Sequence, residues 1–257
     1  MLAIIILIVI IAVIITNRIR RNNKIRSYTL PAGTKKILSE YVAFYRMLGE
    51  DDKLEFEDRI RDFLARTAIT GIDIRISDTD RILVAASAII PIFSFPGWRY
   101  NNISEVLLYQ GAFDKNYQVK GARRNILGMV GNGAMQGQMI LSQPSLVQGF
   151  ANAEDGRNTA IHEFAHLIDK ADGAVDGVPE YLLAQPNIKP WITHMHDTIE
   201  KMKRKDYSDI DPYGATSEAE FFAVVSEYFF ERPDKLQSNH PELYTLMEKM
   251  FQRKGKL

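Results

Sequence analysis

The sequence predicts an α+β fold in which an N-terminal transmembrane helix precedes a body of short strands and helices. Three observations carry that expectation. Met1 to Ile15 is an unbroken apolar run. Short apolar or alternating stretches, bounded by Gly and Pro, punctuate the chain between Gly71 and Leu141. Helical periodicity then dominates from Thr159 onward.

At about 1.5 Å per residue the apolar run falls somewhat short of the roughly 30 Å hydrocarbon core. Thr16, Asn17, a snorkelling Arg18 and Ile19 complete a span over 1–19. A cleaved signal peptide fits less well, because no basic residue precedes the run and no small-x-small site follows it. Arg18, Arg20, Arg21, Lys24 and Arg26 follow directly, and a basic C-terminal flank places the body on the cytoplasmic side of a single-pass membrane protein. Residues 20–34 read as a basic juxtamembrane linker closed by Leu30-Pro31-Ala32-Gly33. The body is 35–257, an α/β lobe over 35–150 followed by a helical half over 151–257.

Within the body, the segments from Lys35 to Leu48 and from Asp51 to Arg66 read as amphipathic helices. Gly71 to Ser77 alternates Ile72, Ile74 and Ile76 with polar neighbours, as a half-buried strand does, and Asp78 to Ile90 reads as a buried helix ended by Pro91. Val106-Leu107-Leu108-Tyr109 is a second strand. The Gly- and Gln-rich stretch from Gly128 to Gln138 reads as turns, and Met139-Ile140-Leu141 as a third strand before Pro144. Lys plus Arg equals Asp plus Glu at 32 each, so charge gives no support for a nucleic-acid partner and none is expected. The chain contains no cysteine, which excludes thiolate ligands, cysteine nucleophiles and disulfides and leaves His, Asp and Glu to hold any metal.

The chemistry is concentrated in His162-Glu163-Phe164-Ala165-His166. The surrounding stretch from Thr159 to Lys170 carries an apolar helical stripe of Ile161, Ala165 and Ile168. A spacing of four residues puts both imidazoles on one face a turn apart, where each can give a ring nitrogen to one tetrahedral zinc, and Glu163 beside them can serve as general base toward water. Two surface histidines are the bland alternative. A catalytic zinc needs a third protein ligand, and three acids compete for that place. Asp172 lies where metzincins place their last ligand, but Asp169 stands where that pattern needs Gly. Glu220 and Glu227 share one face of a helix that begins with the capping box Ser217-Glu218-Ala219-Glu220, so one can ligate while the other orients a histidine. Glu220 can equally cap its own helix and Glu227 can be a surface acid. Spacing alone does not choose.

His194 and His196 alternate and point apart on a helix, which favours a surface role. Asp169 is placed three residues beyond His166 to accept from a ligand imidazole, or to be solvated at the helix end. Tyr213, in the turn Asp211-Pro212-Tyr213-Gly214, can donate to an oxyanion or be a core tyrosine.

These segments resemble the Mlc titration factor A family, zinc-dependent peptidases of the gluzincin type. The resemblance rests on Ile161 to Asp169, on Asp176-Gly177-Val178-Pro179, and on the run from Asp211 to Phe230, and it covers the chain from about Leu48 to about Phe251. It implies one Zn2+ per chain, held by His162, His166 and Glu220, with Glu163 and Tyr213 as the catalytic pair. It also implies a mixed α/β, zincin-like metalloprotease domain over 35–257, similar to the zinc domain of anthrax lethal factor. The expected activity is hydrolysis of a peptide or protein substrate at the membrane surface, with an edge strand near Met139 to Leu141 aligning the peptide. The competing expectation is a tethered binding protein that sequesters a cytoplasmic transcriptional regulator and uses its zinc for structure or gating.

Overall fold

The computed structural model describes Ile6, Thr16 and residues 27–119, 124–152, 156–204 and 208–251. Where one helix was expected from Lys35 to Leu48 there are two, α1 (Thr34–Tyr41) and α2 (Ala43–Met47), separated at the extended, fully buried Val42. Tyr45 on α2 then meets α3 (Glu50–Arg66), its hydroxyl donating to the buried Glu57 at 2.7 Å. Phe56, Ile60, Phe63 and Leu64 form the buried stripe of α3, at helical spacing.

The first strand, β1, runs over Ala68–Ile72 and not over Gly71 to Ser77. The Ile72/Ile74/Ile76 alternation is broken because Asp73 takes a left-handed conformation (φ 58°). The turn is tight: a Cβ on Gly71 would stand 2.3 Å from the Ile74 carbonyl oxygen, so only glycine fits there. Helix α4 (Asp78–Ile92) follows, started by a complete capping box between Ser77 and Asp80, and it runs one residue past Pro91. It is buried almost throughout and crosses over to β2 (Glu105–Tyr109), which pairs with β1 in parallel.

The sheet has four strands in the order β1-β2-β4-β3. Strand β4 (Gln138–Ser142) is parallel to β2, and the short β3 (Gly128–Val130), in the stretch read as turns, runs antiparallel to β4 at the edge. The expected edge strand at Met139 to Leu141 is therefore interior, and β3 takes that place. Residues alternate across the sheet as the pleat requires. Val106, Leu108, Met139 and Leu141 face the main core, whereas Tyr109 and Ile140 join Phe113 in a small cluster on the opposite face.

The remainder is helical: α5 (Gln143–Ala151), α6 (Thr159–Asp169), α7 (Gln185–Lys203), α8 (Glu218–Glu231), α9 (Pro233–Asn239) and α10 (Pro241–Phe251). Helix α6 packs against α4, α8 and β3 and is the centre of the arrangement. Trp191 of α7, fully buried, donates its indole N–H to the Gly177 carbonyl at 2.7 Å and pins the 173–184 loop.

The described chain is a mixed α/β domain, and the expected transmembrane helix over 1–19 is corrected. No helix among the described residues is long and apolar enough to cross a membrane, and the run itself, Ile6 and Thr16 apart, lies outside them. The buried helix α4 has only 15 residues and its surface is spent on the core, while the 19-residue α7 carries Lys189, Asp197, Glu200 and Lys201 along its length. The single-pass placement with a cytoplasmic body, and the partnership with a membrane, rested on that helix and are withdrawn with it.

Candidate metal centre

The site begins with the N-terminus of α6. Asn158, fully buried, caps it by accepting the Ile161 amide at 3.1 Å. Ile161, Ala165 and Ile168 are buried as their spacing predicts, and Phe164 is buried with them. That packing turns His162 and His166 toward the start of α8, with their ring centroids 4.7 Å apart.

Helix α8 supplies the acid. Its cap, Ser217, accepts the Glu220 amide at 3.2 Å, but the Glu220 carboxylate does not return to Ser217 as the second half of a capping box. It reaches the histidines, with Oε2 3.0 Å from His162 Nε2 and 3.3 Å from His166 Nε2, and the two Nε2 atoms stand 3.1 Å apart. These three residues are a group that could hold a metal ion, and among the described residues no other His, Asp or Glu group of that kind is found. Asp172 is not brought in: its carboxylate accepts the amides of Ala174 and Glu180 in its own loop.

Glu227, two turns further along α8, faces the far side of His162. Its Oε1 lies 2.6 Å from His162 Nδ1 and its Oε2 accepts the Asn158 amide at 2.6 Å. A carboxylate at Nδ1 selects the tautomer protonated there and leaves the Nε2 lone pair aimed at Glu220 and His166. Asp169, the other residue considered for this task, does not orient a ring. It is fully buried and neither of its oxygens has a hydrogen-bond partner of ordinary geometry among the described residues. Burial pushes its carboxyl up to about 6, opposed by the nearby Gly177 amide.

The donor set fits a metal. Glu220 Oε2 and the two Nε2 atoms lie within 3.0–3.3 Å of one another, close enough for one cation to be shared among them. Two ligands of a tetrahedral ion bound at about 2.0–2.1 Å stand roughly 3.3–3.4 Å apart, close to the edges of this triangle. Burial by itself lowers the His162 imidazole, but Glu227 and Glu220 overcome it and raise it well above its usual value. Burial likewise raises Glu220, yet its hydrogen bonds to His162 and His166 hold it far below the carboxylate range.

Glu163 is buried beside the triangle, and burial raises its pKa against the pull of His162 and His166. Its carboxylate occupies the space that a side chain at position 128 would need, since a Cβ on Gly128 would lie 2.6 Å from Glu163 Oε1. Tyr213 sits on a 3-10 turn, Pro212–Ala215, whose cap Asp211 accepts the Tyr213 amide at 2.9 Å. Its ring centroid is 6.0 Å from that of His162, and burial, then Glu220 and Glu163, push its hydroxyl up to about 12. His194 and His196 are elsewhere, opposite Glu242 and Glu218, and point apart as expected. Asn158 and Gly128 were not singled out from the sequence. Asn158 carries an N-cap signal ahead of a periodic stretch, whereas Gly128 looks like any glycine of a turn.

The family model described as glucose-regulated metallo-peptidase M90 matches residues 16–252. An uncharacterized protein of Synechocystis sp. is 30% identical over 243 residues, covering 90% of this chain and 87% of that protein. Mlc titration factor A of Pectobacterium atrosepticum is 30% identical over 179 residues, 64% of each chain, and that of Edwardsiella ictaluri is 25% identical over 221 residues, 80% of this chain and 82% of its own. The match thus spans just under two thirds of the Pectobacterium protein. The resemblance to the Mlc titration factor A proteins is borne out, and the chain belongs to the glucose-regulated metallo-peptidase M90 family.

Proposed function

We propose that this chain is a zinc-dependent peptidase in which His162, His166 and Glu220 hold the metal, Glu163 is the general base and Tyr213 donates to the oxyanion. The observation that carries the reading is the buried Glu163 carboxylate beside a three-donor triangle, since a purely structural metal needs no base next to it. Zinc held there supplies Lewis acidity toward water and a peptide carbonyl. Glu163, with its proton affinity raised by burial, takes a proton from water and delivers it to the leaving amine. Glu227 keeps His162 in one tautomer and orientation, and Tyr213, kept protonated at neutral pH, offers its O–H to the charge that develops on the carbonyl oxygen.

Strand β3 supports a peptide substrate. The Ser142 amide donates to Leu127 and the Gly131 amide to Gln138, so residues 127, 129 and 131 turn their backbone groups toward β4. By alternation the N–H and C=O of Gly128 and Val130 face outward at the sheet edge, next to Glu163. An extended peptide pairing there is laid alongside the base.

The name Mlc titration factor A favours a second reading, in which the chain binds a regulator and its metal is structural. Metal content by mass spectrometry together with peptide hydrolysis separates the two. On the peptidase reading, zinc is stoichiometric, is lost in Glu220→Ala and kept in Glu227→Ala, and Glu163→Gln abolishes hydrolysis without loss of metal. Full hydrolysis by Glu163→Gln, or no metal after reconstitution of the unmutated chain, overturns it.

A further inference from the structure

We infer that Asp209 is a positioning residue for Tyr213, mooring the segment that carries the phenol to α8 and to the α9–α10 junction. This rests on the reading of Tyr213 given above, but its evidence lies outside the metal triangle. Tyr213 is 52% exposed on a turn of four residues, so little of its placement comes from packing of its own ring. Two attachments lie nearer: Asp211 to Arg157 at 2.7 Å, whose guanidinium is 71% exposed so that the pair holds weakly, and the buried Gly214, which seats the turn against Val224 of α8 but fixes only its far side.

Asp209 is different. Its carboxylate is nearly covered, and its Oδ2 accepts from the Tyr228 hydroxyl and from Asn239 Nδ2 at 2.7 Å. Its Oδ1 meets His240 Nε2 at 2.6 Å, and Lys235 Nζ lies 3.7 Å from Oδ2. Burial alone would raise the Asp209 carboxyl, but the Tyr228, Asn239 and His240 donors hold it well below the usual range, so it stays ionised. Ile210, the next residue, is buried in the core and fixes the chain a second time.

The donors link this mooring to the site. Tyr228 directly follows Glu227 on α8, so one helix presents Glu220 to both imidazoles, Glu227 to His162 Nδ1, and Tyr228 to Asp209. The position of the phenol relative to His162 is thereby referred to the same rigid element that carries the acid of the triangle. None of the four donors touches the triangle, and the cluster has no part in the chemistry proposed above.

The test uses the full chain, loaded with zinc, as a double-mutant cycle of Asp209→Asn and Tyr213→Phe, read by peptide hydrolysis and by hydrogen exchange. Tyr213→Phe is expected to lower kcat about 100-fold, as removal of an oxyanion donor does. Asp209→Asn is expected to lower kcat about ten-fold with KM and bound zinc unchanged, and to add less than about two-fold on top of Tyr213→Phe. In the same variant, amide exchange should accelerate over 209–216 and stay unchanged over 159–169. His240→Gln, which strips one donor and keeps the carboxylate, should show the same pattern at smaller amplitude and serves if Asp209→Asn fails to fold. Retention of the full Asp209→Asn effect in the Tyr213→Phe background overturns the mooring role, as does unchanged exchange over 209–216. If Tyr213→Phe leaves kcat intact, the oxyanion role of Tyr213 falls, and the exchange data alone decide the mooring.

Discussion

Glu227 and His162 are joined by a 2.6 Å contact between Oε1 and Nδ1, and the other oxygen of the same carboxylate accepts the Asn158 amide at 2.6 Å. One acid thus ties the first turn of α6 to the middle of α8 while fixing the ring that faces Glu220. Carboxylates placed this way behind a ligand imidazole typically govern metal affinity by about 10–100-fold. Glu227→Ala should therefore still bind one zinc at saturation but with affinity reduced by about that factor, measured by competition with a chromophoric chelator. Equal affinity in the variant would show that His162 needs no support from Glu227.

Gly128 offers a test of Glu163 as the proposed base that leaves the metal alone. An alanine methyl there would stand 2.6 Å from both Cγ and Oε1 of Glu163, so the carboxylate must move. A displacement of about 1 Å at a reacting group can cost about 100-fold in rate. Gly128→Ala should lose about that much kcat while zinc content stays at one per chain. Loss of metal instead would mean that the methyl disturbs α6 as a whole.

Asn158 holds three elements with one side chain. Besides capping α6, its Nδ2 donates to the Gly149 carbonyl at 3.3 Å and to Glu231 Oε1 at 3.1 Å. Asn158→Ala removes the cap and leaves a buried carbonyl without its donor, for a loss of about 2 kcal/mol. Asn158→Ser keeps a capping oxygen and should lose about half as much. Urea unfolding of the three proteins measures both values.

Asp169 makes stability depend on pH in the direction opposite to most acids. Its folded value near 6 lies above the roughly 3.9 of an unfolded aspartate, so between those values the native state holds more protons and stability falls as pH rises. The loss is complete above pH 6 and amounts to at most about 3 kcal/mol. Asp169→Asn lacks this titration. Its stability relative to the unmutated chain should improve steadily from pH 4 to pH 7, followed by denaturant midpoints at each pH. A constant gap across that range would mean that Asp169 finds a donor when folded.

Several elements were legible in the sequence because their signals are local. The apolar stripe of α6, the Ser217 cap of α8 and the apolar cores of β2 and β4 each depend on residues within a turn or a few positions of one another. Strand β1 was displaced in the sequence reading because the alternation of Ile72, Ile74 and Ile76 is real, but the left-handed Asp73 turns the chain before it can act. Strand β3 was missed because three residues starting at Gly128 carry too little pattern to stand out from turns. Its stability as a strand comes from pairing with β4.

By itself the sequence determined that His162 and His166 share a face with Glu163 beside them, because the geometry of one helical turn decides that whatever surrounds it. Spacing left Asp172, Glu220 and Glu227 open and only the family resemblance named Glu220; the tertiary structure decided how Glu220 comes to both Nε2 atoms while Glu227 takes His162 Nδ1, and which strand lies at the edge. Glu220 is 58 positions from His162, and both it and Glu227 face α6. Their separate tasks follow from how far along α6 the helix α8 is seated, a translation set by the packing of Phe221, Phe222 and Val225 in the core and written in no local pattern.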